Sequence, residues 1–311
     1  MPAEPALGER KTPLLRWGHA TAGYVTLLVL FGTFGIAVQL KNVLAGLWLT
    51  ELLSIALPAI LFLQAANVRI PSYLALRAPT LPMVGLAVLL GLLNQPVVSL
   101  LEQAAHSWLP ARLVADFDAK NTFLESIFQA HKWGMLAAVT IAAPLCEELF
   151  LRGFLFKAYA RSMPALAAAV LTGALFSFIH MDPVGFVGLW EIGFLLAVMR
   201  HKSGSLWTAI LLHAVNNGAA GAAFLFGFQD ANVPPPTWFL ALGGLLLIAG
   251  LFWSVGVLQA PGTAEPERAA RAGERQDEFR LLRAWPVALV LLGTLGYAGS
   301  RALELVRHAK P

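Results

Sequence analysis

Two acids and an arginine fall within six residues of an otherwise apolar run, Ala142-Ala143-Pro144-Leu145-Cys146-Glu147-Glu148-Leu149-Phe150-Leu151-Arg152-Gly153. At the centre of a bilayer each charge costs on the order of 2.5–3.5 kcal/mol on insertion scales, so the trio must be paired or hydrated. On a helix Glu148 and Arg152 are four apart and share a face, the spacing of an ion pair. Glu147 lies about 100° further round and escapes that pairing, which leaves a carboxylate to hold water. The plainer alternative is a structural salt bridge near a helix end, with Glu147 facing solvent. Phe176 and His180 are again four apart, as are His213 and Asn217, with Asn216 beside them. Taken singly, a histidine at a span end is an interface residue, and amides inside spans are interhelical hydrogen-bond glue. Taken together, a carboxylate, two imidazoles and an amide suit amide hydrolysis without a serine or cysteine nucleophile. One group deprotonates water and others donate to the developing oxyanion. His19, His106, His131, His201 and His308 fall in tails, loops or span edges. Cys146 is the single cysteine, so there is no intramolecular disulfide; apolar neighbours suit it to a small buried hydrophobe rather than a nucleophile.

The elements that must position these groups are membrane spans. Of 311 residues 58% are hydrophobic and 13% charged, and mean hydropathy is +0.67. A soluble domain of this length needs about twice that charge. Apolar runs at 22–40, 44–66, 81–102, 133–157, 165–181, 184–199, 205–227 and 236–259 predict an all-α polytopic transmembrane bundle of about eight spans. A shorter run at 284–300 would make nine. The domain reading is a polar tail over 1–21, a core over 22–259 with its motifs at 144–217, an arginine-rich polar loop over 260–283, and a short hydrophobic segment and tail over 284–311. The mixed segment 102–132 reads as an interfacial or amphipathic hairpin. The tail lacks the features of a cleavable signal. Lys and Arg positions favour a cytoplasmic N-terminus, and a bacterial cytoplasmic membrane is the expected location. The net charge of +4 is dispersed over loops and gives no case for nucleic acid. Counted along the runs, Glu147 and His180 come at different depths, so either the fourth helix continues past Arg152 or the fifth is tilted.

In order along successive helices, Glu147-Glu148-x-x-x-Arg152, Phe176-x-x-x-His180 and His213-x-x-x-Asn217 resemble the CPBP family. These are the CAAX prenyl endopeptidases and their bacterial relatives in bacteriocin processing and self-immunity. The resemblance covers Pro144 to Asn217, about a quarter of the chain. It implies an intramembrane endopeptidase acting on a membrane-associated protein or peptide. Glu147 would be the general base with His180 assisting, and His213 with Asn217 would bind the oxyanion. Glu148, Arg152 and Phe176 would support them. The family has been described both as metal-dependent and as metal-free. No HExxH occurs, and an amide at 217 suits an oxyanion better than a cation, so the preferred reading has no cofactor. Zinc held by Glu147, His180 and His213 is the alternative. Neither a GxSxG serine nor a Gly-x-Gly-Asp aspartate is found. Two rival functions remain: a non-catalytic immunity or assembly factor of the same fold, and a proton-coupled transporter, for which no inverted repeat is visible.

Overall fold

The computed structural model describes Leu15, residues 17–226 and residues 235–259. The tail before residue 15, the arginine-rich 260–283 loop and the 284–300 run lie outside the described residues. Within them every regular element is helical. We label the main helices α1 (Trp17–Lys41), α2 (Val43–Ala65), α3 (Leu81–Trp108), α4 (Ala111–Ala130), α5 (Lys132–Ser162), α6 (Ala165–Ile179), α7 (Phe186–Ser203), α8 (Leu206–Phe226) and α9 (Thr237–Gln259). All but α4 coincide with the eight apolar runs. Six of them, α1, α2, α3, α5, α8 and α9, are long and apolar enough to cross a bilayer. The protein is an all-α polytopic bundle. Helix α6 is shorter, with 15 residues, and α7 carries Glu191, Arg200 and Lys202.

The segment 102–132 departs from the expected hairpin. Helix α3 runs on through Glu102 to Trp108, and a single amphipathic helix, α4, follows after Pro110. Pro110 starts α4 because it has no N–H to miss and its φ already suits the turn into a helix. Asp116, Asp118, Lys120 and Glu125 supply the polar character of α4.

The depth conflict resolves in favour of a long α5. That helix continues past Arg152 to Ser162 before the turn at Met163 and Pro164. Glu147 and His180 then lie sixteen residues either side of the turn and come level on antiparallel neighbours.

The helices that carry the site are locally unwound into π-helical stretches at Thr50–Ala56, Ala138–Ala142 and Leu149–Leu155. Two have an evident cause. Pro58 and Pro144 have no N–H for the carbonyls of Ser54 and Thr140, and a π stretch lets later donors take up such carbonyls. Such bulges often sit at functional positions.

Packing between α6 and α7 is glycine on glycine. A Cβ on Gly173 would lie 2.9 Å from the Phe194 nitrogen, and one on Gly193 would lie 2.9 Å from the Gly173 Cα. Small residues let transmembrane backbones approach this closely. The approach is stitched by Trp190 Nε1 donating to the Val170 carbonyl at 3.0 Å. Helix α1 is tied to the same region by the Tyr24 hydroxyl donating to the Leu175 carbonyl at 2.8 Å.

Candidate active site

The Glu148–Arg152 pair forms as the i, i+4 spacing requires, with Arg152 Nη1 donating to Glu148 Oε1 at 2.8 Å, both side chains fully buried. The second Arg152 amino group donates to the Gly193 carbonyl at 2.6 Å. That carbonyl is within reach because α6 and α7 approach through glycines. The guanidinium also stacks on Phe176, 4.8 Å from the ring centroid. Phe176 in turn meets His180 at 4.8 Å and His213 at 5.5 Å between ring centroids. One buried arginine and one phenylalanine therefore fix the relative positions of α5, α6, α7 and α8.

Both histidines are oriented by the acceptor on Nδ1. His180 Nδ1 is 2.8 Å from the Phe176 carbonyl. A carbonyl only accepts, so Nδ1 carries the proton and a neutral ring presents a bare Nε2. The His180 side chain is exposed, but onto an internal cavity that it helps to line. His213 Nδ1 is 3.0 Å from Glu148 Oε1, the same oxygen that accepts from Arg152. Its Nε2 stands 3.8 Å from Glu147 Oε2, beyond hydrogen-bond distance. Glu147 Oε2 is buried and has no hydrogen-bond partner.

A cavity of about 1060 Å³ gathers all four predicted catalytic residues, Glu147, His180, His213 and Asn217. Its size matches the upper range of pockets for small ligands and admits an extended stretch of peptide. Away from the polar centre the wall is aromatic, including Phe31, Phe117, Phe128 and Trp238. Asn217 Nδ2 donates to the Val139 carbonyl at 3.0 Å, inside a π stretch of α5. One N–H remains for another acceptor. Among the described residues no group of three or more His, Cys, Asp or Glu side chains is arranged to hold a metal ion. The Glu147, His180, His213 set is thus gathered around one cavity without closing into a ligand cage.

Several residues of this cavity went unremarked in the sequence. Asn216 Oδ1 accepts from Asn94 Nδ2 at 3.2 Å and Gln95 Nε2 at 3.0 Å, and its own amide reaches Asn217 Oδ1 at 3.4 Å. Asp182, two residues past His180, accepts from the backbone N–H groups of Val184 and Gly185 at 3.1 and 3.0 Å. It also pairs with Lys120 of α4. The loop that carries His180 is thereby pinned to both α7 and α4. Glu51 of α2 lines the cavity as well, 8% exposed, and its Oε2 has no hydrogen-bond partner. The available signal was simple: a lone acid in the second apolar run and an Asn-Gln pair in the third are costly unless they do something.

Residues 129–219 match the family model described as type II CAAX prenyl endopeptidase Rce1-like. The matched segment runs from the end of α4 to the last motif on α8 and holds every catalytic residue predicted from the three motifs. The match is to the family that the motifs resemble, and it supports an intramembrane endopeptidase of CAAX type in general. No curated protein and no solved structure matches the chain.

Proposed function

We propose, taking the type II CAAX prenyl endopeptidase segment as premise, that this protein hydrolyses a peptide bond inside the membrane with water activated by Glu147. The observation that carries the reading is the Glu147 carboxylate: buried, with Oε2 unbonded, and facing the cavity shared with His180, His213 and Asn217. Water held between Glu147 and the bare Nε2 of His180 has a base on one side and an acceptor on the other. As its oxygen bonds to the scissile carbonyl carbon, its proton passes to Glu147. The spare Asn217 N–H donates to the oxyanion, and so does His213 Nε2 when that ring is protonated. Collapse expels the amine, which takes its proton back from Glu147. Glu148, anchored by Arg152, holds the His213 ring by Nδ1 and takes no proton. The chemistry needs no cofactor in this scheme. The aromatic cavity suits an apolar or lipid-bearing peptide, and a leader peptide or another membrane protein is the substrate class that fits.

Comparing wild type with Glu147→Gln tests the assignment. Membranes from cells expressing each protein are analysed for newly formed peptide N-termini, and the strongest cleavage site supplies a synthetic peptide for kinetics. Glu147→Gln should lose turnover by roughly 10²–10⁴, the usual contribution of a general base, while melting near wild type. Glu148→Gln and Arg152→Leu should instead unfold early, since breaking a buried pair costs about 3–5 kcal/mol. Normal turnover by folded Glu147→Gln would overturn the assignment.

A further inference from the structure

The three motifs leave one buried acid of the cavity without a task. Glu51 sits in the π-helical stretch of α2, which packs directly against the α5 segment bearing Glu147. It is the strongest charged neighbour that Glu147 has, ahead of His213, Glu148 and Arg152. Both carboxyls line the same cavity, both are more than nine-tenths buried, and each has an oxygen without a hydrogen-bond partner. Neither is matched by a cation of its own: Arg152 is spent on Glu148 and Gly193. The α2 backbone around Glu51 is held in place independently, because Thr50 accepts from Gln39 at 3.0 Å and lies against Gly35 of α1.

We propose that Glu51 and Glu147 form a single proton-sharing carboxyl pair, and that Glu51 is the second group holding the hydrolytic water. Two carboxylates at one buried site cannot both ionise cheaply, so one proton between them is the stable state. The protonated Glu51 donates to the water oxygen and fixes its orientation while Glu147 accepts one of its hydrogens. The role rests on the endopeptidase reading above; the pair itself does not. In hydrolysis the pair passes from one proton to two and back to one. The water proton moves to Glu147 as the new C–O bond forms and the carbonyl π electrons pass to the oxyanion. When the C–N bond breaks, its electron pair stays on nitrogen, which takes the proton from Glu147. Glu51 keeps its own proton throughout. The negative charge of the pair is thus handed to the oxyanion rather than added beside it, which removes a like-charge repulsion at the moment of attack.

Full-length protein in lipid vesicles is examined by infrared spectroscopy as wild type, Glu51→Gln, Glu51→Asp and Glu147→Gln, with the cleavage-site peptide as kinetic probe. The expected result is a carbonyl band of a protonated, hydrogen-bonded carboxyl in wild type that both glutamine variants remove or displace. Glu51→Gln should lower kcat at least tenfold, with KM within about twofold and melting unchanged or higher; general acid-base partners of this kind contribute about 10²–10⁴. Glu51→Asp should recover part of kcat, which a packing role would not predict. A wild-type carboxyl band in Glu51→Gln overturns the pair, and wild-type kcat in that variant overturns its role. Should wild type cleave no peptide at all, the endopeptidase reading fails, and the infrared comparison still decides whether the pair exists.

Discussion

At the scale of single residues, the structure separates two asparagines that the sequence leaves adjacent. Asn217 has a spare N–H after bonding the Val139 carbonyl, whereas Asn216 is the shared acceptor for Asn94 and Gln95. Asn217→Ala should therefore turn over about 10²–10³ more slowly, the loss for one missing oxyanion donor, with KM little changed. Asn216→Ala strands two donors inside α3, so its first effect should be a lower melting temperature. Parallel kinetics and thermal melts on the two variants check the ranking; a slower Asn216→Ala of normal stability would exchange their roles. The motif residues were legible because intramembrane charge is expensive and so conspicuous. Asn94 and Gln95 were not, because an amide costs less than a charge and its partner lies across the bundle. Glu51 was conspicuous by the same cost argument, yet its meaning depends on α2 lying beside α5, which no local spacing reveals.

At the scale of elements, the site depends on how closely α6 and α7 approach. Gly173 and Gly193 bring the two backbones together, and the Gly193 carbonyl then becomes the second acceptor of Arg152. Gly173→Ala places a methyl 2.9 Å from the Phe194 nitrogen and 3.0 Å from the Trp190 carbonyl, backbone atoms that cannot step aside alone. Overpacking of this kind costs about 1–3 kcal/mol, and α7 should retreat from Arg152. We expect a lower melting point and reduced kcat together. Gly85→Ala on α3 is the control, because nothing lies within 4 Å of its added methyl. Equal melting of the two variants would remove the close approach from the argument. Helix α4 shows the limit of hydropathy at this scale. Its polar residues announced an interfacial segment, but the pairing of Lys120 with Asp182 and the straight run of α3 to Trp108 are tertiary outcomes.

At the scale of the molecule, the bundle places its basic and acidic features at opposite ends. Arg77 Nε donates to the Gly204 carbonyl at 2.7 Å, and Lys157 Nζ donates to the Tyr73 carbonyl at 2.8 Å. The loops that the Lys and Arg pattern assigns to one side of the membrane thus meet at one end, while Lys120 joins the 181–185 loop at the other. Between them lies the polar centre of the cavity, reached from α2, α3, α5, α6 and α8. A zinc enzyme would need a closed ligand set from these helices, and Glu148 and Phe176 already orient the two histidines for water and oxyanion instead. Metal analysis of purified protein should find substoichiometric zinc, and strong chelators should leave turnover unchanged. Stoichiometric zinc lost with activity and restored with it would turn Glu147, His180 and His213 into ligands.

The sequence by itself determined that the chain is a helical membrane bundle, because apolar length and scarcity of charge are sums over local composition. It also determined the Glu148–Arg152 pair and the faces shared by Phe176 with His180 and by His213 with Asn217, since helical periodicity alone sets those contacts. Tertiary structure decided the rest. The length of α5 beyond Arg152 depends on where the chain turns, and that turn brings Glu147 level with His180. His213 bonds Glu148 rather than standing free, because α8 packs against α5. Glu51, Gln95 and Asp182 enter the site from helices and a loop far away in sequence. Periodicity fixes which side chains share a face of one helix; only the packing of helices fixes which faces meet.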